Sequence, residues 1–195
     1  MASEFNGPKG IVVYCGSATG ANPRYAAAAD QVGRELARRG LPLVYGGGHM
    51  GLMGAAGRGV REAGGVSVAV IPQFMVDRHW NDPESTHTIV TPSMHVRKET
   101  MAALARGAIA LPGGIGTWEE LCEIITWRQL GLFGGNIVVL NLDGYYDPLL
   151  AQFREGVVQG FFLESHLQLF AVATDPSQAV SMASAEPIKE FPSKF

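Results

Sequence analysis

The sequence is poor in cysteine and in charge, and it has no long apolar run. Its two cysteines, Cys15 and Cys122, stand in no CxxC or Cys/His spacing, so we predict free thiols in a reducing, cytoplasmic setting. No run of about 18 apolar residues is present, and the opening MASEFNGPKG is polar, so we expect neither a membrane span nor a secretory leader. The five histidines show neither HxxH nor HExxH spacing, which predicts no metal site.

Charged residues make up only 17% of the 195 residues, and the formal net charge is -3. Because there is no broad basic field to attract phosphate backbones, we expect no nucleic-acid partner. Apolar residues make up 47%, which is typical of a compact globular protein. The length suits one domain, so we predict a single domain over residues 1–195, with loose tails at 1–9 and 187–195.

Short apolar runs rich in Val and Ile alternate with helical patterns. We predict strands at residues 11–15, 41–45, 66–71, 88–90, 108–111, 136–141 and 169–173. We predict helices at residues 23–39, about 52–63, 94–105 and 117–130, and after Asp147 and Asp175. This alternation predicts an α/β protein with a parallel sheet of about seven strands and helices on both faces. Ligands bind beyond the carboxyl ends of such strands, where the turns CGSATG, YGGGHMG and LPGGIGT would meet.

The turn YGGGHMG contains a GxGxxG spacing, formed by Gly46, Gly48 and Gly51, as in dinucleotide-binding turns. That motif also requires an acidic residue near the end of the next strand to hold a ribose hydroxyl. The next strand ends in IPQ, so we disfavour NAD binding and an oxidoreductase activity. The alternative is that the glycines of this segment allow close packing of a helix.

The turn LPGGIGTWEE, residues 111–120, is more informative. Its glycines and the Thr117 hydroxyl stand at the start of a predicted helix, where free N–H groups and the helix dipole favour an anion such as phosphate. No GxxxxGK[ST] motif exists, so we do not expect ATP hydrolysis. Glu120 has two interpretations that stay open from spacing alone, because T-x-x-E from Thr117 is also a capping box.

The segment SMHVRKETM places Met94, Arg97, Lys98 and Met101 on one face of a predicted helix. The methionines indicate that this face points inward, where a charge needs a partner. Either both basic side chains reach solvent along their aliphatic stems, or Arg97 pairs with Glu120 beside a pocket floored by the glycine turns.

The combination of YGGGHMGLMG, SMHVRKETM and PGGIGTWEE resembles the LONELY GUY (LOG) proteins, which are cytokinin riboside 5'-monophosphate phosphoribohydrolases, over about residues 11–175. The resemblance implies a Rossmann-like fold, a homodimer or higher homo-oligomer, and no cofactor. It implies cleavage of a purine nucleoside 5'-monophosphate into base and ribose 5-phosphate, with Arg97 and Glu120 as catalytic residues. Substrate contacts are implied for Lys98, Gly114, Ile115, Gly116, Thr117, Trp118, Glu119 and Thr126, and we add Ser17, Gly47, Met94 and Gly113.

One loop departs from the family pattern. Where many members carry a glutamate after the third strand, this chain has His79 followed by Trp80, which leaves the preferred purine open between N6-modified adenine and AMP. The proton donor to the leaving base is also open, with His49, His79 and Asp77 as candidates. A non-hydrolytic nucleotide or phosphorylated-cofactor binding protein is the alternative function.

Two further points concern the family and the surface. Members of the family were often labelled possible lysine decarboxylases, but that chemistry needs pyridoxal phosphate on a lysine. Of the four lysines only Lys98 is expected in a pocket, beside an arginine. A last group of apolar residues is predicted to be core or a subunit contact: Trp118, Trp127, Leu130, Leu132 and Phe133.

Overall fold

The computed structural model describes residues 5–187. In this part of the chain the strands are β1 (Gly10–Tyr14), β2 (Leu43–Tyr45), β3 (Ser67–Pro72), β4 (His87–Thr91), β5 (Ala105–Ala110), β6 (Asn136–Leu140) and β7 (Ala171–Ala173). The α-helices are α1 (Pro23–Arg38), α2 (Gly51–Glu62), α3 (Gln73–Val76), α4 (Met94–Ala103), α5 (Ile115–Gln129), α6 (Asp147–Val158) and α7 (Pro176–Ser184). Short 3-10 turns lie at Leu142–Gly144 and Glu164–Gln168.

The strands form one parallel sheet in the order β4-β3-β2-β1-β5-β6-β7. The chain starts in the middle at β1, moves outward to β4, and then crosses back to β5 on the other side of β1. The strand order therefore reverses between β1 and β5, and a crevice forms beyond their carboxyl ends. The predicted α/β fold with seven parallel strands is confirmed.

Two hydrophobic cores cover the two faces of the sheet. Successive β1 residues alternate between them, because side chains along a strand point to opposite faces. Ile11 and Val13 face the core formed with α1, α2 and α7, whereas Val12 and Tyr14 face the core formed with α4, α5 and α6. Helices on both faces are thus confirmed.

Several predicted boundaries differ from the structure by one to three residues, and two of these differences concern β5 and the helix that follows it. β5 begins at Ala105 rather than at residue 108, because the ladder to β1 starts at Gly10 and extends past the exposed Arg106. The following helix, α5, begins at Ile115 with Gly114 as its N-cap, so Thr117 lies inside the first turn. Of the two interpretations of Glu120, the capping box at Thr117 is therefore wrong, and Glu120 is free to take another partner.

The predicted loose tails lie partly outside the described residues, at 1–4 and 188–195. Within the described part, the Phe5 ring packs against His87 with ring centroids 5.1 Å apart. No helix between residues 5 and 187 combines the length and the apolar character that a membrane crossing requires.

Candidate active site

A cavity of about 580 Å³ opens at the carboxyl ends of β1, β2 and β5, where the strand order reverses. Its volume and position are those of a small-molecule site in an open α/β sheet. Glycine-rich turns and side chains of α4 and α5 line it. The lining residues are Cys15, Gly16, Ser17, Gly46, Gly48, His49, Met50, Met53, Ile71, Met75, Trp80, Arg97, Gly114, Ile115, Gly116, Thr117 and Glu120.

Arg97 is a buried cation fixed by backbone carbonyls. Its Nε donates to the Val70 carbonyl at 3.1 Å, and its Nη2 donates to the Gly46 carbonyl at 3.3 Å. A Cβ on Gly46 would lie 1.9 Å from Nη2, so a larger residue here would displace the guanidinium from its carbonyl partners. The alternative that Arg97 reaches solvent is wrong, since only 7% of its side chain is exposed.

Glu120 is the anionic partner of Arg97. Its Oε1 lies 3.5 Å from Arg97 Nη1, and 11% of its side chain is exposed. Burial raises the pKa of Glu120 to about 7, although the Arg97 charge opposes the shift. A carboxyl group that titrates near neutral pH can act as a base at physiological pH, as general acid–base catalysis requires.

Two other buried groups near Glu120 are held in their neutral forms. Burial raises the pKa of the Tyr14 hydroxyl and of the Cys15 thiol, and the charge of Glu120 raises both further. A thiol that stays protonated is a poor nucleophile. Neither group therefore supplies an anion to the cavity, which leaves Glu120 to do so. Both cysteines are free thiols, as predicted.

The first turn of α5 presents backbone N–H groups to the cavity. Gly114, its N-cap, makes no side-chain capping bond, and the first helical bond runs from the Trp118 N–H to the Gly114 carbonyl. No acceptor within residues 5–187 receives the N–H groups of residues 114–117. A Cβ at Gly114 or Gly116 would meet no atom within 4 Å. This helix start therefore has the donors, the dipole and the space that an anion needs.

The turn after β1 closes the cavity on the side of α2. The Gly16 carbonyl accepts from the N–H groups of Leu52 and Met53 at 3.0 and 3.3 Å, which are the second and third residues of α2. Gly51 has φ of +62°, and a Cβ there would lie 2.3 Å from the Ser17 carbonyl carbon. The GxGxxG turn thus packs against Ser17 and has already used its helix-terminal donors. The N–H groups of Leu52 and Met53 are therefore not available to a pyrophosphate.

One wall of the cavity is apolar. It consists of Met50, Met53, Ile71, Met75 and Trp80. About half of the Trp80 side chain is exposed, and the Arg78 guanidinium lies 5.1 Å from its ring centroid. A flat aromatic base is the kind of group that such a wall binds.

Asp82 fixes the segment that carries Trp80. The buried Asp82 carboxylate accepts from Tyr45 Oη and from Arg61 Nη1, both at 2.7 Å. The backbone N–H of Asp82 donates to the Gly47 carbonyl at 2.6 Å, and Gly48 forms an antiparallel β-bridge with Asn81. Gly47 therefore supports the wall rather than lining the cavity.

The structure brings together Arg97, Glu120 and five of the predicted substrate-binding residues, Ser17 and Gly114, Ile115, Gly116 and Thr117. It does not bring the other seven to the cavity lining: Gly47, Met94, Lys98, Gly113, Trp118, Glu119 and Thr126.

Most of these seven have identifiable partners elsewhere. Met94 Sδ lies 3.9 Å from Arg97 Nη1, so this side chain supports the arginine. Thr126 Oγ1 donates to the Cys122 carbonyl and borders a separate cavity of about 140 Å³. Trp118 is 43% exposed on the surface of α5.

Lys98 binds two carboxylates of α5, Glu119 and, at 3.0 Å, Glu123. Burial lowers the pKa of Lys98, but its hydrogen bonds to both carboxylates raise the pKa above the ordinary value. A Schiff-base lysine must lose its proton, so this environment argues against decarboxylase chemistry at Lys98.

Of the three candidate proton donors only His49 lines the cavity, and its Nδ1 lies 3.3 Å from the Trp80 carbonyl. Asp77 accepts from Gln73 on the exposed side of α3. His79 has φ of +58°, and the bonds from His79 N–H to the Val76 carbonyl and from Trp80 N–H to the Met75 carbonyl form a Schellman motif. The left-handed backbone of His79 thus stops the chain from continuing α3 and sets the direction in which it leads to Trp80.

Several lining residues were not predicted, chiefly Cys15, Gly16, Met50, Met53 and Met75. The signal for Met50 and Met53 was their place directly after a glycine-rich turn at a strand end. The part of the chain that the structure describes holds no cluster of three His, Cys, Asp or Glu side chains suited to a metal.

The fold and this cavity define a Rossmann-like α/β protein with a small-molecule pocket at the switch in strand order. A family model described as "Possible lysine decarboxylase" matches residues 53–182. The chain is 42% identical over 170 residues to the cytokinin riboside 5'-monophosphate phosphoribohydrolase LOG of Oryza sativa subsp. japonica, covering 87% of this chain and 70% of that protein. The chain therefore belongs to the LOG family, whose family model carries the decarboxylase description.

A second relative agrees with this placement, and two solved structures share the fold. The cytokinin riboside 5'-monophosphate phosphoribohydrolase LOG5 of Arabidopsis thaliana is 40% identical over 177 residues, covering 91% of this chain and 78% of that protein. The molybdenum cofactor binding protein of Rippkaea orientalis (TM-score 0.68, 22% identity) and a Moco carrier protein of Chlamydomonas reinhardtii (TM-score 0.67, 21% identity) each cover 89% of this chain and 94% of their own. At such identity the two structures show the shared fold alone.

Proposed function

We propose that this chain is a phosphoribohydrolase that cleaves the N-glycosidic bond of purine nucleoside 5'-monophosphates, including cytokinin riboside 5'-monophosphates, into free base and ribose 5-phosphate. The observation that carries the proposal is the buried pair of Arg97 and Glu120 at the edge of a cavity floored by glycine turns. The names of the relatives at about 40% identity support the same reaction.

Glu120 is the catalytic carboxylate in this proposal. Breaking a glycosidic bond passes through an oxocarbenium-like state with positive charge at C1'. A carboxylate beside C1' stabilises that charge and can take a proton from the attacking water. Arg97 stays protonated, so its role is to orient Glu120 and to hold substrate oxygens. Because Arg97 is itself fixed by two backbone carbonyls, the carboxylate is held in a defined place.

The start of α5 is the proposed site of the 5'-phosphate. The N–H groups of residues 114–117 bond to no acceptor within residues 5–187, so they are available to a ligand. The helix dipole adds to their attraction for an anion. Ser17 and Thr117 supply hydroxyl groups on the same cavity surface. Binding energy from the phosphate would position the ribose for the chemistry at C1'.

The apolar wall is the proposed site of the purine. Met75 and Trp80 lie on the segment that Asp82 fixes, and Met50 and Met53 face it from the start of α2. His49 is the proposed hydrogen-bonding partner of the leaving base, since it is the one of the three candidates that lines the cavity.

We also propose a homo-oligomer and a cytoplasmic location. Of the apolar residues predicted as core or subunit contact, Trp118, Leu130 and Leu132 are exposed, whereas Phe133 is buried. The two exposed leucines support a subunit contact rather than core packing. The two free thiols support a reducing compartment. Light scattering on the purified chain would measure the oligomeric state.

The test is to incubate the protein with AMP and with isopentenyladenosine monophosphate and to measure free base by chromatography. We expect base release from at least one nucleotide without added cofactor, and little release from adenosine, which lacks the phosphate. Tight nucleotide binding without any base release would instead support the alternative, a non-hydrolytic carrier. Equal rates on adenosine and AMP would contradict the proposed phosphate site.

A further inference from the structure

Two consecutive tyrosines hold the glycine turn before α5 from its outer side. The Tyr145 hydroxyl donates to the Gly113 carbonyl, and the Tyr146 hydroxyl donates to the Leu111 carbonyl at 2.6 Å. Neither tyrosine lines the cavity. The Tyr145 ring is itself held edge-on by Tyr25, with ring centroids 5.7 Å apart. The turn is therefore clamped by residues that do not reach a ligand in the cavity.

The bond from Tyr145 decides which way one backbone N–H points. The described chain contains no cis peptide bond, and in a planar trans peptide the carbonyl and the N–H point in opposite directions. The Gly113 carbonyl shares its peptide with the Gly114 N–H. Since that carbonyl is directed at Tyr145, the Gly114 N–H is directed away from Tyr145, and Gly114 lines the cavity.

Without such a bond this peptide would be free to turn over. Gly113 and Gly114 both lack a Cβ, so neither restricts the backbone rotation that would exchange the carbonyl and the N–H. A reversed peptide would point a carbonyl dipole toward the cavity, where it would repel an anion. Because the two glycines leave the orientation of this peptide unrestricted, a hydrogen-bond partner on its outer side is needed to fix it. The Tyr145 hydroxyl is that partner.

We propose that Tyr145 is a positioning residue that keeps the Gly114 N–H directed at the substrate phosphate. This rests on the proposed function, because it requires the phosphate to bind at the start of α5. The role is separate from packing, since the hydroxyl acts through the orientation of one peptide rather than by filling space.

Tyr146 provides a matched control. Its acceptor, the Leu111 carbonyl, shares a peptide with Pro112, which has no N–H to present. The Tyr146 hydroxyl is also buried, so its loss leaves a buried carbonyl without its partner and costs stability. The two substitutions Tyr145→Phe and Tyr146→Phe remove the same atom from neighbouring residues, but only one of them affects a cavity-facing N–H.

The experiment measures the affinity of the wild-type protein and both variants for ribose 5-phosphate and for adenosine by calorimetry, together with the thermal midpoint of each. We expect Tyr145→Phe to weaken ribose 5-phosphate binding about tenfold, the size of a lost hydrogen bond to a charged group, and to change adenosine binding less than about twofold. We expect Tyr146→Phe to lower the midpoint more than Tyr145→Phe while leaving the affinity for ribose 5-phosphate unchanged.

The outcomes separate the two proposals. If the wild-type protein binds ribose 5-phosphate and Tyr145→Phe leaves that affinity unchanged, or weakens adenosine equally, the positioning role is overturned while the proposed function stands. A wild-type protein that neither binds ribose 5-phosphate nor cleaves AMP would overturn the proposed function, and the positioning role with it.

Discussion

The turns before α2 and α5 look alike in composition and differ in what they leave open. Both follow a strand, both are rich in glycine, and both start a helix whose first internal bond joins the same positions, Gly54 to Met50 and Trp118 to Gly114. In α2 the two N–H groups just before this bond, those of Leu52 and Met53, are bound by the Gly16 carbonyl. In α5 the equivalent donors, on residues 116 and 117, have no acceptor within residues 5–187.

The difference teaches that glycine spacing alone does not identify an anion site. The question is where the first N–H groups of the helix find acceptors. Gly51, the first residue of α2, must be glycine-like to pack against Ser17, whereas a Cβ at Gly114 or Gly116 would meet open space. The turn before α2 therefore serves packing, and the turn before α5 is a candidate binding surface.

The sixth residue of each helix extends the comparison. In α5 this residue is Glu120, which faces the cavity and pairs with Arg97. In α2 it is Ala56, which is fully buried in the core shared with α1. The two helices therefore differ in what the sheet leaves beside the sixth residue, a cavity for α5 and packed core for α2.

The largest expected effect is on turnover, and it tests whether Glu120 on α5 is the catalytic carboxylate. Glu120→Gln removes the negative charge at nearly constant volume, so we expect kcat for AMP to fall roughly a thousandfold. Steady-state assays of base release would measure it, and circular dichroism would confirm that the fold is intact. Glu123→Gln, one turn further along α5, is the control and should change kcat less than about threefold. Near-normal turnover in Glu120→Gln would remove Glu120 as the catalytic carboxylate.

The sequence was sufficient for the sheet and for six of the seven α-helices between residues 5 and 187, but it missed α3 and left the pairing of Arg97 with Glu120 as one of two alternatives. Periodicity and strand-end turns carry that information, because they are local in the chain. It was insufficient for the role of the turn before α2, since Gly16, whose carbonyl binds the donors, is 35 residues or more away from Leu52 and Met53. The same holds for the wall near Trp80, which depends on Asp82 and Arg61 meeting across the fold.

The second-largest expected effect is on stability, and it tests whether the glycine at the start of α2 serves packing against Ser17. Gly51→Ala places a Cβ against the Ser17 carbonyl at positive φ, so we expect a loss of about 3 kcal/mol in the free energy of unfolding. Denaturant titration would measure it. Gly40→Ala is the control, since Gly40 also has positive φ, +65°, but no neighbour within 4 Å, and should lose only about 1 kcal/mol. Equal losses would show that the contact with Ser17 is unimportant.

A third prediction concerns pH and tests the environment of Glu120. Because its pKa is raised to about 7, the carboxylate form declines below that pH, and we expect kcat/KM for AMP to fall roughly tenfold per pH unit well below 7. The substrate phosphate titrates near pH 6 as well. The pH dependence of ribose 5-phosphate binding isolates that contribution. A flat rate profile between pH 5 and 8 would contradict the assignment.

The same pKa shift has a consequence for stability. Glu120 in the folded chain keeps its proton up to a higher pH than in the unfolded chain, so it contributes stability at low pH that is lost as the pH rises from about 4.5 to 7. Glu120→Gln has no such titration. The thermal midpoint of Glu120→Gln minus that of the wild-type protein should therefore increase as the pH rises from about 4.5 to 7. A difference that is constant with pH would show that the carboxyl group is not buried in solution.

The smallest effect separates function from stability within the first turn of α5. Gly116→Ala adds a methyl group at a position with open space and without positive φ, so we expect the free energy of unfolding to rise by about 0.5 kcal/mol. The same methyl group should hinder the approach of the phosphate and lower kcat/KM for AMP about fivefold. Denaturant titration and initial-rate assays on one preparation would measure both. A variant that is more stable and fully active would mean that the phosphate contacts other N–H groups of this turn, because the added Cβ would then lie outside its path.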